Sequence, residues 1–591
     1  MKTVGSTSCW LAGALWLIAP AAGCARVVEM VGWTGPPDGG GGGGPSAGGT
    51  GGRGVVVDGD SAGGSYTPAL PPDWNCGVTC FRDPSIPASP DPAGRLAGHA
   101  DGNAAHKPAL VYPLAGALHP MNISDVTFQW RRGPVTQTLF RIRVSASGAS
   151  GGAGPFDFYV PCQPPVAQGT PTPLDQCTYA LPPGSWLDLA LKSRGQQVTV
   201  EVGAVDDDPA AGGAVAVSDP QPLSFSADPV EGGLYYWSTH NTIAAGFGAT
   251  YRLLFGARKA LPFIAPSSAS NQFTCGGCHA ISRDGTTIAF SEGNDAYSAV
   301  LRVARTSDPD TGLFPVAASH DSATIALSPD GSRVLASYAN ALTLRATSDG
   351  RVLGTVDPAL LTVAGVAYHG YLPEWSPDGK EIVLTLSAVP DSEWAVRTGA
   401  IAVLPVAADR FGSAEVIVPD GADFNFYPSW SPDGKWIVFA SAPAGQGLKS
   451  YDQRMARLRL VARAGGQVYE LGRATQGVGH TSSWPKFAPF SQAGGDVLFV
   501  TFNSKIDYGF LLRNSQAVTP TPQLWLAAID LRRLPGDPSY QPMWLPFQDV
   551  AQNNHLGFWT ENVGCRLDGA LSVGCDDGES CVGGKCRFIV P

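Results

Sequence analysis

Apolar and polar positions alternate with a period of two over much of this chain, in short runs broken by Gly, Pro and Asp clusters. Between Asp125 and Asp206 the runs are "DVTFQW", "TLFRIRVSA", "FDFYVPC", "CTYALP" and "QQVTVEVGAVD". Successive side chains of an extended strand point to opposite faces, so each run makes one dry face and one wet face. Short strands at this spacing predict a β-sandwich over residues 107–228.

Beyond residue 229 the alternation returns as a repeat. "ALSPDGSRVLAS" starts at Ala326, "EWSPDGKEIVLT" at Glu374 and "SWSPDGKWIVFA" at Ser429, and "AISRDGTTIAFS" at Ala280 fits the same frame. The turn aspartates Asp284, Asp330, Asp378 and Asp433 are 46, 48 and 55 residues apart. Each unit reads as a strand, an Asp-Gly turn and an apolar strand. Asp and Gly suit such a turn because they tolerate positive φ, so these aspartates are expected to be structural and not metal ligands. Weaker copies follow in "WPKFAPFSQAGGDVLFVTF" and in "NNHLGFWTE" from Asn553, while "GLYYWSTHNTIAAGFGATYRLLFG" supplies strands to close a ring with the last. Six units over residues 229–562 have room for four strands each, which predicts an all-β chain with a six-bladed β-propeller.

Composition supports many short strands over long helices: 73 Gly, 50 Pro and only 15% charged residues. A net charge of −11 argues against a nucleic-acid footprint. Lys2, the apolar run Cys9–Ile18 and "APAAGC" read as a signal peptide over residues 1–23. Ala21-Ala22-Gly23-Cys24 is similar to a bacterial lipobox, with Ala where Leu is usual, and implies lipidation of Cys24. The alternative is an ordinary signal peptide with an incidental cysteine. Either way the chain is expected to be exported, as a cell-envelope lipoprotein of the outer membrane in the first case. Residues 24–106 form a Gly/Pro-rich linker with a small Cys76/Cys80 loop. Within it, Gly59-Asp60-Ser61-Ala62-Gly63 matches a nucleophile elbow but lacks the following helix that the elbow needs. No other catalytic constellation emerges.

Export makes the twelve cysteines readable as disulfides. Locality pairs Cys76 with Cys80 and Cys162 with Cys177. Cys565, Cys575, Cys581 and Cys586 staple a tail over residues 563–591, with the pairing open. Cys275-Gly-Gly-Cys278-His279 is different, because C-x-x-C-H is the spacing that attaches haem c. Two rival readings stay open: a plain Cys275–Cys278 disulfide, or another metal completed by histidines close in space. A thioredoxin-type site would need a helix after the first cysteine, and the sequence there reads as strand.

The "WSPDGKxIVF" units resemble the TolB-type β-propeller repeat, a relative of the WD-repeat blade. "TFNSKIDYGF", "QLWLAAID" and "DPSYQPMWLPFQDVAQNNHLGFWTENVG" resemble exported bacterial propeller proteins that also carry C-x-x-C-H at the first blade. "YPLAGALHPMNISDVTFQW" with "FRIRVSA" resembles fibronectin type III-like modules. In the TolB-type blade the strand entering the S-P-D-G turn is innermost and lines the channel. That resemblance puts His279 at the channel mouth, with both cysteines in the loop before it. It implies haem c held by Cys275 and Cys278, with His279 as proximal ligand to the iron. His555 is the distal candidate, and Trp375, Phe558 and Trp559 could form aromatic wall; Met121, Met455 and Met543 lie outside the approach loops. Equivalent approach positions carry His320, His369, Asp423, Asn425 and His480, possible channel-rim residues. The expected function is electron transfer with a redox partner at the envelope. The competing expectation is a haem-free scaffold that recognises a protein or glycan.

Overall fold

The computed structural model describes residues 55–56, 70–146, 155–165, 173–239, 248–255, 257–264, 275–293, 300–314, 322–392, 395–445, 448–563 and the short pieces 566–568, 571–573, 579–582 and 585–590. The expected signal peptide over residues 1–23, Cys24, the Gly59–Gly63 stretch and His320 lie outside these residues.

The S-x-D-G turns explain how the repeat is built. In each, a serine hydroxyl donates to the aspartate two residues on: Ser282 to Asp284 at 2.6 Å, Ser328 to Asp330 at 2.6 Å, Ser376 to Asp378 and Ser431 to Asp433 at 2.7 Å. The same serine oxygen accepts the main-chain N–H that opens the next strand, at 2.9 Å in all four. The glycine that follows is left-handed; Gly285 has φ +75°, and a Cβ there would stand 1.7 Å from the Asn562 carbonyl oxygen. The turn aspartates are therefore spent on local hydrogen bonds, and the sequence expectation about them stands on observed partners.

Each turn links a leading strand to an apolar partner, and the pairs extend into six sheets. The leading strands are Cys275–Ile281, Thr324–Leu327, His369–Trp375, Asp423–Trp430, Ser483–Gln492 and Asn554–Thr560. In the first five sheets the remaining strands follow in chain order, all antiparallel. The sixth joins the two ends of the region: Asn554–Thr560 pairs with Gly233–Ser238, which continues to Ala249–Leu254 and Leu261–Ile264. Each leading strand packs against the next, and the sixth packs against the first. The fold is all-β and propeller-like on this strand order alone.

All but one of these leading strands carry the same irregularity. Register breaks between Tyr371 and Glu374, Phe426 and Ser429, and Ser483 and Lys486, and beside Leu556 in the sixth strand. The bulged residues Leu372, Tyr427, Trp484 and Leu556 have φ between +52° and +56°. In the first strand the break falls between Gly277 and Ala280, so Cys278 and His279 occupy the bulge. The second strand, only four residues long, has none.

Ahead of the ring, a mixed sheet runs from Cys80–Arg82 through Phe156–Pro161, Gln137–Ala146, Gln197–Asp206 and Gln221–Phe225 to Leu118–His119. It shares a core with the sheet Ala109–Tyr112, Thr127–Arg131, Gln176–Ala180, through Trp130, Phe140, Ile142 and Phe158. The helix Pro183–Lys192, which the alternation does not predict, inserts Trp186, Leu189 and Ala190 at helical spacing into that core. Cys76–Cys80 and Cys162–Cys177 are disulfide-bonded, as their locality implied. Cys581 is also disulfide-bonded.

This module is packed directly onto the fifth sheet. Tyr112 stands edge-on to Tyr508 at 4.8 Å, Tyr508 stacks on Trp544 at 4.1 Å, and the Trp544 N–H donates to the Tyr112 hydroxyl at 3.1 Å. Gln129 accepts the Phe510 N–H at 2.6 Å. One apolar cluster runs through both parts, from Trp130 to Trp525.

Candidate functional site

The C-x-x-C-H motif lies within a strand. Cys275, Gly276 and Gly277 pair with Gly293, Glu292 and Ser291, so the backbone is extended from its first cysteine and the expected approach loop is strand instead.

His279 is 1% exposed. Its Nε2–H donates to the Tyr235 carbonyl at 3.2 Å, and the ring stands edge-on to Phe558 at 5.2 Å. Burial pushes its pKa down to about 4; the Tyr235 carbonyl opposes this and the nearby Lys486 ammonium reinforces it. The imidazole is therefore neutral at ordinary pH, which an iron ligand requires. Nδ1 is buried without a hydrogen-bond partner. The donor chemistry thus fits a haem iron. The neighbouring channel does not fit a porphyrin, because its cavity is only about 110 Å³. Small-molecule sites run from about 300 Å³ upward.

That cavity is bounded by the six leading strands and has its own polar arrangement, which the sequence reading passed over. Two residues before the turn serine, or its counterpart, stand Ala280, Ala326, Glu374, Ser429, Lys486 and Phe558, and all six line it. Lys486 is ion-paired to Glu374 across the fourth sheet, and its ammonium sits 4.5 Å from the centre of the Phe558 ring. The other Glu374 oxygen accepts Ser429 Oγ at 2.8 Å and the Trp430 N–H at 2.9 Å. Arg283 closes the turn-side mouth. It occupies the place of Pro329, Pro377 and Pro432 in the other repeats. Its guanidinium bonds Glu561 at 2.6 Å, the Pro489 carbonyl at 2.8 Å and the Pro432 carbonyl at 3.4 Å. The only sequence signal for these groups is register: one departure from S-P-D-G and one column of channel-facing positions.

No family model matches this chain, and no curated protein matches it. Among solved structures it is similar to NirN, a dihydro-haem d1 dehydrogenase in complex with DHE, at 15% identity and a TM-score of 0.30 over 54% of each chain. A prolyl endopeptidase aligns at 13% identity and TM-score 0.29, over 53% of this chain and 42% of the other. An ancestral GH74 enzyme aligns at 12% and 0.30, over 59% and 40%. The chain spans about half the length of the structures it matches. Likeness this distant leaves the function to the site itself.

The remaining candidate residues have separate surroundings. His555 is in the sixth leading strand; its Nδ1 contacts the Asn503 amide nitrogen at 2.9 Å, its ring is 5.9 Å from Trp237, and burial holds its pKa below the usual histidine value. It precedes Leu556 and Phe558, the neighbours of His279. His369 opens the third leading strand, paired with Ser387. Asp423 is ion-paired with Arg457 at 2.8 Å and Arg459 at 2.9 Å. Asn425 is buried, with its amide donating to the Pro419 carbonyl at 3.1 Å. Among the described rim residues only His480 is in a connection, lining a cleft described below. Met121 and Met543 are buried in separate cores, and Met455 is exposed. Trp375, Phe558 and Trp559 line the channel cavity. Among the described residues no group of three or more His, Cys, Asp or Glu could hold a metal ion.

Proposed function

We propose that this chain is an exported, lipid-anchored six-bladed β-propeller of the TolB type behind a fibronectin-like module, and that it carries one haem c at Cys275, Cys278 and His279 for electron transfer at the cell envelope. The observation that carries the reading is the C-x-x-C-H spacing ending on a neutral, buried imidazole with one nitrogen lacking a normal hydrogen bond. The rival reading is a Cys275–Cys278 disulfide in a haem-free scaffold, and intact mass separates the two. A bound haem supplies a one-electron couple whose potential follows its axial ligands and burial. His279 serves as proximal ligand in this reading, which requires its contact with the Tyr235 carbonyl to yield if Nε2 is the ligating atom. His555 is the proposed second ligand, because it shares a strand with the residues packed on His279. A redox partner in the envelope would receive or supply the electron.

The test is export in cells with a cytochrome c maturation system, followed by visible absorbance and intact mass. A Soret band and a mass gain of one haem are expected, both lost in C275S/C278S. An unmodified mass without a Soret band would overturn the reading. If haem is present, H555A should perturb the low-spin spectrum; an unaltered spectrum would remove His555 as ligand.

A further inference from the structure

A second, larger concavity lies at the end of the ring opposite the S-P-D-G turns. It is about 910 Å³ and is walled by three connections: 448–454 in the fourth sheet, 478–481 leading into the fifth, and 505–520 within the fifth. Its volume is at the upper end of the range for small-molecule sites, on the order of 300–1,000 Å³.

The charge of its lining opposes that of the chain. Lys449, Arg454 and Lys505 stand against a single carboxylate, Asp452, in a protein of net charge −11. Asp452 is taken by Lys505 at 2.6 Å. The nearby Asp507 is turned to the Ser515 N–H at 2.7 Å. Lys449 and Arg454 are exposed and have no carboxylate partner among the described residues. Beside them the wall is apolar: Leu448, Val478 and Val518 are all exposed, an arrangement that costs solvation unless something covers it. A flat polyanion would leave these aliphatic groups wet, and a neutral apolar body would leave the two cations unused. Every lining residue lies outside the strands, so no free sheet edge offers a peptide backbone its ladder of hydrogen bonds.

We infer that this cleft binds a small amphiphilic organic anion, a carboxylate or sulfonate on an apolar body, with Lys449 and Arg454 at the charged end and Leu448 and Val478 against the apolar part. The site is independent of haem attachment, and the two readings fail separately.

The probe is 8-anilinonaphthalene-1-sulfonate, titrated by fluorescence into the full chain, with and without C275S/C278S. Saturable single-site binding is expected in both. Decanoate should displace the probe, while decanol and decyltrimethylammonium should not. K449E/R454E should weaken binding at least about tenfold, and V478D should weaken it as well, with far-UV circular dichroism and the melting temperature unchanged because both cations are exposed. No saturable binding, equal competition by decanol or decyltrimethylammonium, or full affinity in K449E/R454E would each overturn the proposal.

Discussion

Arg283 shows how much one residue can change in a repeated frame. Proline at this place in the other turns offers no donor, whereas the guanidinium joins the first sheet to the fourth, fifth and sixth. R283P should cost on the order of 1.5–3 kcal/mol, the range for charge-assisted hydrogen bonds. The loss would be read by denaturant unfolding, together with greater acrylamide quenching of the channel tryptophans. Equal quenching in both proteins would mean that Arg283 does not close the channel. Histidine chemistry sets a second expectation at this scale. His119 is fully buried with neither ring nitrogen hydrogen-bonded, and burial pushes its pKa down to about 3 from 6.5; His279 is held at about 4. The folded value of His119 lies below the unfolded one, so the unfolded chain binds more protons in acid. Its contribution to stability is fully present above pH 6.5 and falls as pH drops toward 3, by about 1.4 kcal/mol per unit. H119F keeps the ring packed against Trp186 and removes one titration. Its loss of stability between pH 7 and pH 5 should be visibly smaller than that of the parent.

At the scale of elements, the turns and the bulges differ in how they are specified. Each S-x-D-G turn is assembled from its own six residues, so its chemistry could be read from the sequence and its aspartates assigned a structural role. For Asp330, Asp378 and Asp433 burial alone would raise the pKa, but the serine hydroxyl and main-chain N–H hold it below 3.8. Their contribution is present above that pH and lost in stronger acid. G285A should be far more damaging than D433A, because it combines a left-handed φ with a collision against Asn562, while D433A removes hydrogen bonds worth about 1 kcal/mol. Urea midpoints of the two variants check the order. The bulges are another matter. Leu, Tyr and Trp at positive φ carry no local signature, and pairing with the neighbouring strand imposes the extra residue. That is why the motif was expected in a loop and lies instead in a paired strand.

On the scale of the molecule, closure depends on the last leading strand, which is remote in sequence from the sheet it completes. Removing residues 554–591 would strip Gly233–Ser238 of its inner partner and leave Phe558 and Trp559 out of the channel wall. The truncated chain should lose its cooperative unfolding transition and become readily proteolysed; a sharp transition at the parental midpoint would show that closure is dispensable. The module ahead of the ring is tied to it by the Tyr112, Tyr508 and Trp544 cluster. Y508A should cost about 3–5 kcal/mol, the range for a large buried aromatic, and should lower the stability of both parts together in calorimetry.

The sequence by itself determined the strand-rich class, the repeat and its turns, two local disulfides and the C-x-x-C-H donors, because each rests on residues close together in the chain. Pairing of the first and last segments was also readable, since both carry strand patterns that lack partners. Tertiary structure alone decided what surrounds those groups. His279 is buried against Tyr235 and Phe558, Glu374 meets Lys486, and Arg283 spans the mouth, all through contacts between residues 44 to 279 positions apart. The cationic cleft likewise exists only where three separate connections converge. Burial, ion pairing and cavity size are properties of neighbours in space, and local pattern carries no record of them.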